Sequence, residues 1–337
     1  MPVDGPNDDI IREFVRGNAG DCAALIPLAG DASMRRYYRA YAPGGPVMVC
    51  YDETISLSAD GEHQFLVVHS LLERYGVPVP RVLALDRARG LLLLEDLGDT
   101  LVEESFPSLP ADEAEALYGA ILDILARLQS IPPDGSPVPF GRSFDMEKLM
   151  FEFDFFIEHA VKNYFGFSAP ASFFRELRAE FLGVAGALQR PELFVLNHRD
   201  FHSRNIMLRD GRPCIIDFQD ARMGLPQYDL ASLLRDSYLV LDAPLFERLM
   251  DRYYRSAREA GIHSMDRAEF DRLFDLSAFQ RNVKAVGTFA YQSRVLGRRR
   301  YEPNIASTLS YLGGYASRRS ELSRVFELLL ECAGGRA

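Results

Sequence analysis

The sequence contains four cysteines, and none of them belongs to a CxxC pair. They are widely separated, at Cys22, Cys50, Cys214 and Cys332. This spacing argues against a disulfide framework and against a zinc site built on cysteine ligands. We therefore expect reduced thiols and a cytoplasmic protein.

Long hydrophobic runs are also missing. No apolar run approaches the ~20 residues that a membrane span requires. The N-terminal segment MPVDGPNDDIIREF is polar and acidic, and it lacks the apolar core of a secretory signal. The sequence thus predicts no membrane partner and no secretion.

The chain is poor in positive charge. Its 38 Lys and Arg residues are outnumbered by 48 Asp and Glu residues, which gives a formal net charge of −10. A chain this acidic is not attracted as a whole to nucleic acid or to an anionic membrane, although local basic clusters can still bind phosphate. The 337 residues, of which 47% are apolar, suffice for two domains or one large bilobal unit.

The first hundred residues have the pattern of strands and turns with one helix. Residues 28–52 are rich in β-branched and aromatic residues between glycine turns, and residues 61–75 have helical spacing. Residues 76–99 predict two short strands around a turn at 87–90. The apolar run at 91–94 is typical of a central strand.

After residue 100 the pattern becomes helical. Helices are predicted over residues 112–130, 145–162, 172–188, 227–241, 245–260, 269–296 and 317–332. The only strand signal in this half lies around residues 205–217. We therefore expect an α+β fold with a β-rich N-terminal part, residues 1–97, and a large helical part, residues 98–337.

Polar residues cluster in HRDFHSRN, residues 198–205, and in CIIDFQDA, residues 214–221. Between them, Asp210-Gly211 is a strong signal for a two-residue hairpin, since a type I′ turn needs positive φ at both positions. A hairpin closed there brings Asn205 and Asp217 to the same open end. Asp200 then lies in the loop that leads into the first strand.

The chemistry of this cluster is that of phosphoryl transfer. Amide and carboxylate oxygens suit Mg²⁺, which usually binds one or two protein oxygens plus substrate phosphates; zinc or iron would prefer His or Cys ligands. Asp200 would orient a substrate hydroxyl and accept its proton. The alternative is a polar loop whose side chains only cap helices and turns.

The pattern HxDxxxxN, a short hairpin and then DF resembles the aminoglycoside phosphotransferase/choline kinase family of the protein-kinase-like superfamily. The resemblance covers roughly residues 25–330. It implies a protein-kinase-like bilobal fold, with a small antiparallel β-rich N-lobe that covers the nucleotide and a large helical C-lobe that carries the catalytic loop and the substrate pocket. It also implies ATP and Mg²⁺ as cofactors.

A narrower resemblance is to the bacterial anomeric kinases of cell-wall recycling, which phosphorylate N-acetylmuramate and N-acetylglucosamine at C1. It rests on LAGDASMRRYYR, LLLLEDLGDTL, HRDFHSRNIML, IIDFQDARMGLPQYDLASLLRDSY and QRNVKAVGTFAYQSR. It implies a cytoplasmic ATP- and Mg²⁺-dependent sugar kinase acting on the anomeric hydroxyl. Its product would feed a nucleotidyltransferase that makes a UDP-sugar.

The resemblance assigns roles to individual residues. Asp200 matches the catalytic base, and Asn205 and Asp217 match the metal ligands. The nucleotide would be bound by the backbone of the adenine hinge and by a phosphate-covering loop, which together comprise Glu95, Leu97, Gly30, Asp31, Ala32 and Ser33. Asp229 matches a structural residue that orients the catalytic loop, and His198 is also expected to be structural.

One feature departs from the superfamily pattern. The third strand, PVMVCYDE, carries no lysine that could reach the ATP phosphates. Arg35 and Arg36 are the candidates to replace it, although Arg36 and Arg39 could equally be surface charges of a strand. The missing lysine also leaves open a catalytically silent nucleotide-binding module.

The sequence defines the residues that would bind the acceptor less clearly than those that would bind the nucleotide. His202, Arg204 and Asp220 are the candidate substrate-binding residues. Arg204 could hold the transferring phosphoryl group or a substrate carboxylate, or it could pair with Asp220 or another acid. Asp220 could bind sugar hydroxyls or fix the loop. Phe155 or His159 could line a sugar pocket. An aminoglycoside or choline-type kinase is the rival, and it would need a pocket for a cation.

Overall fold

A computed structural model describes residues 7–28, 35–58 and 63–334. The chain forms two compact units. The first unit comprises Met1–Leu101 and Met207–Gln219, and the second comprises Val102–Ile206 and Asp220–Ala337. The assignment of residues 1–97 to the nucleotide and of residues 98–337 to the substrate stays a prediction.

The first unit contains a five-stranded antiparallel sheet. Its strands are β1 (Ala24–Leu28), β2 (Arg36–Ala42), β3 (Gly45–Tyr51), β4 (Val82–Asp86) and β5 (Leu91–Glu95), in the order β1-β2-β3-β5-β4. β5 is flanked on both sides, and its four leucines are at most 4% exposed. The prediction of a central strand at residues 91–94 is therefore confirmed.

Three helices accompany the sheet: α1 (Asp8–Ala19), α2 (Thr54–Leu57) and α3 (Gln64–Arg74). The prediction of a single helix in this region was wrong. The side chain of Asn7 caps α1 by accepting a hydrogen bond from the N–H of Asp9. Ile11, Phe14 and Val15 then lie on one face and pack into the core of the sheet.

The second half is mainly helical, which confirms the predicted α+β class. The helices are α4 (Val102–Ser105), α5 (Ala111–Gln129), α6 (Met146–Phe156), α7 (Ala171–Ala187), α8 (Pro226–Leu234), α9 (Ala243–Glu259), α10 (Arg267–Arg294), α11 (Pro303–Leu309), α12 (Leu312–Arg318) and α13 (Ser323–Cys332). A π-helical segment, Ile157–Tyr164, continues α6.

Four short strands lie in this half: β6 (Val195–Asn197), β7 (Ile206–Arg209), β8 (Arg212–Ile215) and β9 (Arg222–Gly224). β7 and β8 pair as the predicted hairpin, with φ of 50° at Asp210 and 74° at Gly211, as a type I′ turn requires. The antiparallel pair of β6 and β9 contradicts the prediction of a single strand signal. Its strands are too short to show a period of two.

Two predicted helices have different bounds. The helix predicted to run to residue 241 ends at Leu234, because Arg235 has non-helical dihedral angles. The helix predicted over residues 317–332 is interrupted between α12 and α13 by a 3₁₀ turn, Ser320–Leu322. No helix in the described parts of the chain is both long and apolar enough to cross a bilayer.

α10 is the central helix of the second unit, with buried residues around most of its circumference. Gly287 lets it approach α6 closely, because a Cβ at this position would lie 2.9 Å from the Cα of Phe156. We expect Gly287→Ala to lower the melting temperature, because the overpacking cost of about 1–3 kcal/mol exceeds the helix propensity gained.

Gly183→Ala in α7 is the matched control. A Cβ there meets no heavy atom within 4 Å, so the same substitution should raise the melting temperature slightly. Thermal unfolding followed by circular dichroism measures both variants. Equal shifts in the two variants would contradict the close approach of α10 and α6.

Candidate active site

The predicted catalytic loop, residues 198–205, lies between β6 and β7 and is anchored by a buried carboxylate. Asp229, in the first turn of α8, accepts hydrogen bonds from the N–H groups of His198 at 2.5 Å and Arg199 at 3.0 Å. Burial raises the pKa of Asp229 to about 7. The two bonds hold Arg199 at a φ of 87°, which is uncommon outside glycine. Asp229 therefore has the orienting role predicted for it.

A second buried carboxylate anchors the other end of the loop. Asp236 accepts hydrogen bonds from the N–H of Ser203 at 2.9 Å and from its hydroxyl at 2.6 Å. Both residues are fully buried. Asp236 comes two residues after the end of α8 at Leu234. The non-helical backbone at Arg235 allows the Asp236 carboxylate to contact the loop. Sequence reasoning did not identify this residue.

Asp200 lies between the two anchors and is paired with a cation. The Nζ of Lys284, on α10, is 2.7 Å from Oδ1 of Asp200, and the Nε of Arg199 is 4.0 Å from Oδ2. Burial opposes ionisation of Asp200, but the charges of Lys284 and Arg199 outweigh it and hold the pKa of this carboxyl well below its usual range. The carboxylate is therefore ionised, oriented and 29% exposed.

Sequence reasoning also missed Lys284. The residue lies 84 positions from Asp200, inside a long helix where it directly follows Val283 and precedes Ala285, and nothing in this segment indicates its partner. Only the course of α10 past the catalytic loop brings the two side chains together.

The two predicted metal ligands belong to different units, Asn205 to the second and Asp217 to the first. The amide Nδ2 of Asn205 donates a hydrogen bond to the backbone carbonyl of Asp200 at 2.9 Å. This bond does not involve the amide oxygen of Asn205. Asp217 is exposed, has a φ of 64°, and accepts a hydrogen bond from Gln219 at 2.8 Å. Both residues thus retain the hard oxygen donors that Mg²⁺ requires.

The residue after Asp217 fixes its position in the first unit. Phe218 is 1% exposed, and its ring lies 5.0 Å from that of Phe65 and 6.0 Å from that of His69, both on α3. Among the residues with described coordinates, no group of three or more His, Cys, Asp or Glu side chains could hold a metal.

The three candidate substrate residues have different surroundings. His202 packs edge-on against the ring of Tyr238, and burial lowers its pKa to about 4, so the imidazole is neutral at pH 7. Arg204 forms a two-pronged ion pair with Glu103, at 2.6 and 2.9 Å, and lies 3.8 Å from the centre of the Tyr238 ring. The acid that pairs with Arg204 is thus Glu103, in α4.

Asp220 is paired with the catalytic loop. Its carboxylate lies 2.8 Å from Nη1 of Arg199. This contact can fix the loop, and a role of Asp220 in binding sugar hydroxyls stays a prediction.

The candidate phosphate-binding residues are only partly described. Gly30, Asp31, Ala32 and Ser33 lie outside the described residues. Arg35 forms an ion pair with Asp52 at 2.7 Å, and its guanidinium lies 5.5 Å from the centre of the Phe65 ring. Arg36 is the first residue of β2 and is opposite Tyr51 of β3. Arg39 pairs with Asp96 at 2.5 Å, so it is not a solvated surface charge.

The candidate adenine hinge directly follows β5. The N–H of Glu95 donates to the carbonyl of Arg81 at 2.9 Å, and the Glu95 carboxylate pairs with Arg209 of the hairpin. Leu97 is 7% exposed. These contacts fix the segment in the first unit, and its role in adenine binding stays a prediction.

Three aromatic side chains form a small group in the second unit. The ring of Phe155 lies 4.2 Å from that of His159 and 5.4 Å from that of Tyr291 on α10. All three are partly exposed, as stacking on a sugar would require, and this role stays a prediction.

Comparison with known proteins identifies the class to which these features belong. Residues 24–266 match the phosphotransferase enzyme family, so the chain belongs to this family. It is 34% identical to an N-acetylmuramate/N-acetylglucosamine kinase of Pseudomonas aeruginosa, over 93% of this chain and 90% of that one. It is 32% identical to a protein of the same name from Pseudomonas putida, over 98% and 96% of the two chains.

Solved structures confirm the protein-kinase-like fold. A choline/ethanolamine kinase family protein from Mesorhizobium loti superimposes with a TM-score of 0.59 at 18% sequence identity. The match covers 97% of this chain and 99% of that one. At this level of identity the similarity establishes the fold alone.

Proposed function

We propose that this protein is an ATP- and Mg²⁺-dependent kinase that phosphorylates the anomeric hydroxyl of an amino sugar such as N-acetylmuramate or N-acetylglucosamine. The observation that carries the proposal is the ionised Asp200, held by Lys284 in a loop anchored at both ends. The names of the Pseudomonas relatives support the class of acceptor. A cytoplasmic location and a nucleotidyltransferase that consumes the sugar phosphate are parts of the same proposal.

Asp200 would act on the acceptor hydroxyl. Its carboxylate orients the hydroxyl and accepts the proton as the bond to phosphorus forms, and in a loose transition state positioning contributes more than base strength. An anomeric hydroxyl is more acidic than an ordinary alcohol, so a carboxylate of low pKa is an adequate base. The buried Nδ1 of His202 has no hydrogen-bond partner among the described residues, and a substrate hydroxyl could satisfy it.

The nucleotide would be held by the first unit. The backbone at Glu95 and Leu97 would bind adenine, while the segment from Gly30 to Ser33, with Arg35 or Arg36, would contact the phosphates. Asn205 and Asp217 would provide oxygen ligands to Mg²⁺. The metal, when bound, neutralises the charge of the phosphates.

The surroundings of Asp200 disfavour the rival acceptors. Choline and aminoglycosides are cations, and their pockets need carboxylates or aromatic cages. Here Lys284 and Arg199 lie beside the proposed base. A neutral or anionic acceptor is therefore favoured over a cationic one.

Phosphorus NMR of the protein with ATP, Mg²⁺ and a panel of acceptors tests the proposal. The panel contains N-acetylmuramate, N-acetylglucosamine, other hexoses, choline and kanamycin. We expect a product whose phosphorus couples to the anomeric proton and which hydrolyses in mild acid. Phosphorylation elsewhere, turnover only with a cation, or no product with any acceptor would overturn it, the last in favour of a silent nucleotide-binding module.

Lys284 is predicted to act as a positioning residue for Asp200. We expect Lys284→Met to lower kcat by about 10²-fold, because a small misplacement of a reacting group costs about that much. The KM for ATP should change little, and Lys284→Arg should restore part of kcat because it keeps the charge. Steady-state kinetics with both substrates varied measures this split.

A double substitution separates this role from a general structural one. In the Asp200→Asn background, Lys284→Met should cause little further loss of kcat, because its partner is already neutral. A full additional loss in the double variant would mean that Lys284 acts independently of Asp200.

A further inference from the structure

Arg39 of β2 binds the chain segment that directly follows β5. Its Nε donates to Oδ2 of Asp96 at 2.5 Å, and its Nη2 donates to Oδ1 of the same carboxylate at 3.1 Å. Nη2 also donates to the carbonyl of Gly98 at 3.0 Å, and Nη1 donates to Oδ2 of Asp99 at 2.9 Å. All three nitrogens of the guanidinium are thus engaged by residues 96–99.

The register of the sheet places Arg39 two strands away from the segment that it binds. Arg39 is opposite Met48 of β3, and Met48 is opposite Leu94 of β5. Neighbouring strands lie about 4.8 Å apart, so the Arg39 side chain extends across β3 to reach the end of β5. The length of an arginine and its planar fork of donors suit this bridging contact.

The bound segment is also held by a turn of its own. Oδ1 of Asp96 accepts a hydrogen bond from the N–H of Gly98 at 2.8 Å, and Gly98 has a φ of 80°. This Asx turn closes around Leu97. Leu97 is 7% exposed, and its N–H makes no hydrogen bond to another residue in the described parts of the chain. Most buried N–H groups have a partner, so this donor is suited to a ligand.

The ion pair between Arg39 and Asp96 is buried. The side chain of Arg39 is 13% exposed and that of Asp96 is 2% exposed. A buried ion pair adds little stability compared with an apolar pair, because the cost of desolvation offsets the attraction. Its contacts instead fix the conformation of an irregular segment on both sides of Leu97.

We propose that Arg39 is a positioning residue for the adenine of the nucleotide. The inference rests on the proposed kinase function, in which the backbone at Glu95 and Leu97 binds adenine, and it deepens that function. By holding Asp96 and Gly98 on either side of Leu97, Arg39 would orient the Leu97 N–H for the base. Arg39 would thus act through the backbone and would not itself contact the nucleotide.

Calorimetric titration of Arg39→Met tests the proposal with three ligands: ADP with Mg²⁺, adenosine, and tripolyphosphate with Mg²⁺. We expect the Kd for ADP and for adenosine to rise about 10-fold, because each neutral hydrogen bond to the base contributes about 5-fold to affinity. The Kd for tripolyphosphate, which has no base, should not change. Arg39→Lys keeps the charge but not the fork of donors, so it should restore only part of the affinity.

Arg89→Met is the matched control. Arg89 also binds two acids of the first unit, Asp86 at 2.6 Å and Glu13 at 3.1 Å. It lies before β5, whereas the segment bound by Arg39 follows β5. This substitution should therefore leave all three Kd values unchanged.

A double substitution separates positioning from folding. Arg39→Met alone leaves the buried carboxylate of Asp96 without its cation, which destabilises the fold. Arg39→Met combined with Asp96→Asn leaves no buried charge unpaired, and the asparagine oxygen can still accept the hydrogen bond from Gly98. The melting temperature of the double variant should lie near that of the wild type, while its loss of affinity for ADP and adenosine should persist.

Wild-type affinity for ADP and adenosine in the double variant would overturn the positioning role. A loss that extends to tripolyphosphate would also overturn it, in favour of a direct contact between Arg39 and phosphate. These titrations do not depend on turnover. If the variants lose affinity for ADP and adenosine as expected but the wild type phosphorylates no acceptor, the positioning role stands and only the proposed catalytic function fails.

Discussion

Replacing Asp200 with alanine should lower kcat by about 10²- to 10⁴-fold, the range that a positioned general base contributes. ATP affinity should remain nearly intact, because the carboxylate is directed at Lys284 of the second unit and its proposed target is the acceptor hydroxyl. Steady-state kinetics with the sugar, together with calorimetric titration of ATP and Mg²⁺, measures both quantities. Retention of wild-type turnover would remove Asp200 from the mechanism.

The ion pair with Lys284 requires a control for this experiment. Alanine at position 200 leaves the ammonium of Lys284, 15% exposed, without its partner, and an unpaired charge at partial burial destabilises the fold. Asp200→Asn keeps the volume of the side chain and its hydrogen-bonding oxygen. A loss of kcat in both variants, with unchanged melting temperatures, would attribute the effect to chemistry. A fall in kcat that follows the melting temperature would attribute it to folding.

The sequence predicts those parts of the site whose residues lie close together along the chain. The catalytic loop, the Asp210-Gly211 turn and the Asp217-Phe218 pair lie within about 20 positions, so local geometry determines them. The apolar run at Leu91–Leu94 similarly predicts a central strand, because a short strand buried on both faces has consecutive apolar residues.

The residues that pair with Asp200, Ser203 and Arg204 are distant from them in the sequence. No local pattern predicts these contacts. Lys284 is 84 positions from Asp200, Asp236 is 33 from Ser203, and Glu103 is 101 from Arg204. Each is an ordinary polar residue in its own segment. Its role follows only from helix packing, which periodicity alone does not determine.

Local signals for helix α1 are present in the sequence, although this helix was not predicted. Asn7 before two acidic residues is a helix start, and Ile11, Phe14 and Val15 have the spacing of an amphipathic helix. The sequence gives no comparable signal for the strands β6 and β9. Strands β6 and β9 are three residues long, and their pairing depends on contacts between positions that are distant in the sequence, such as Asn197 and Arg222.

The charges around Asp200 connect the site to the choice of acceptor. An isolated carboxylate would attract cations, as an aminoglycoside or choline kinase needs. Here Lys284 and Arg199 lie beside the carboxylate of Asp200 and offset its charge. The same cations that keep Asp200 ionised disfavour a cationic acceptor beside it, which is in keeping with the proposed sugar kinase.

Asp217→Ala should abolish Mg²⁺-dependent ATP binding. We expect the gain in ATP affinity that Mg²⁺ provides to fall by roughly 100-fold or more, since a bound metal ion contributes several kcal/mol of charge stabilisation. Titration of ATP in the presence of Mg²⁺ and in the presence of EDTA measures this gain in the wild type and the variant. Binding in EDTA should be similar for the two proteins.

Asp210→Ala is the matched control, because it also removes an exposed carboxylate from a residue with positive φ, in the turn of the adjacent hairpin. Both substitutions place alanine in a conformation that it rarely adopts, so backbone strain affects them alike. Only the Asp217 variant should lose the Mg²⁺ dependence. If both variants lose it, the hairpin rather than the carboxylate is responsible. If neither variant loses it, Asp217 is not a metal ligand.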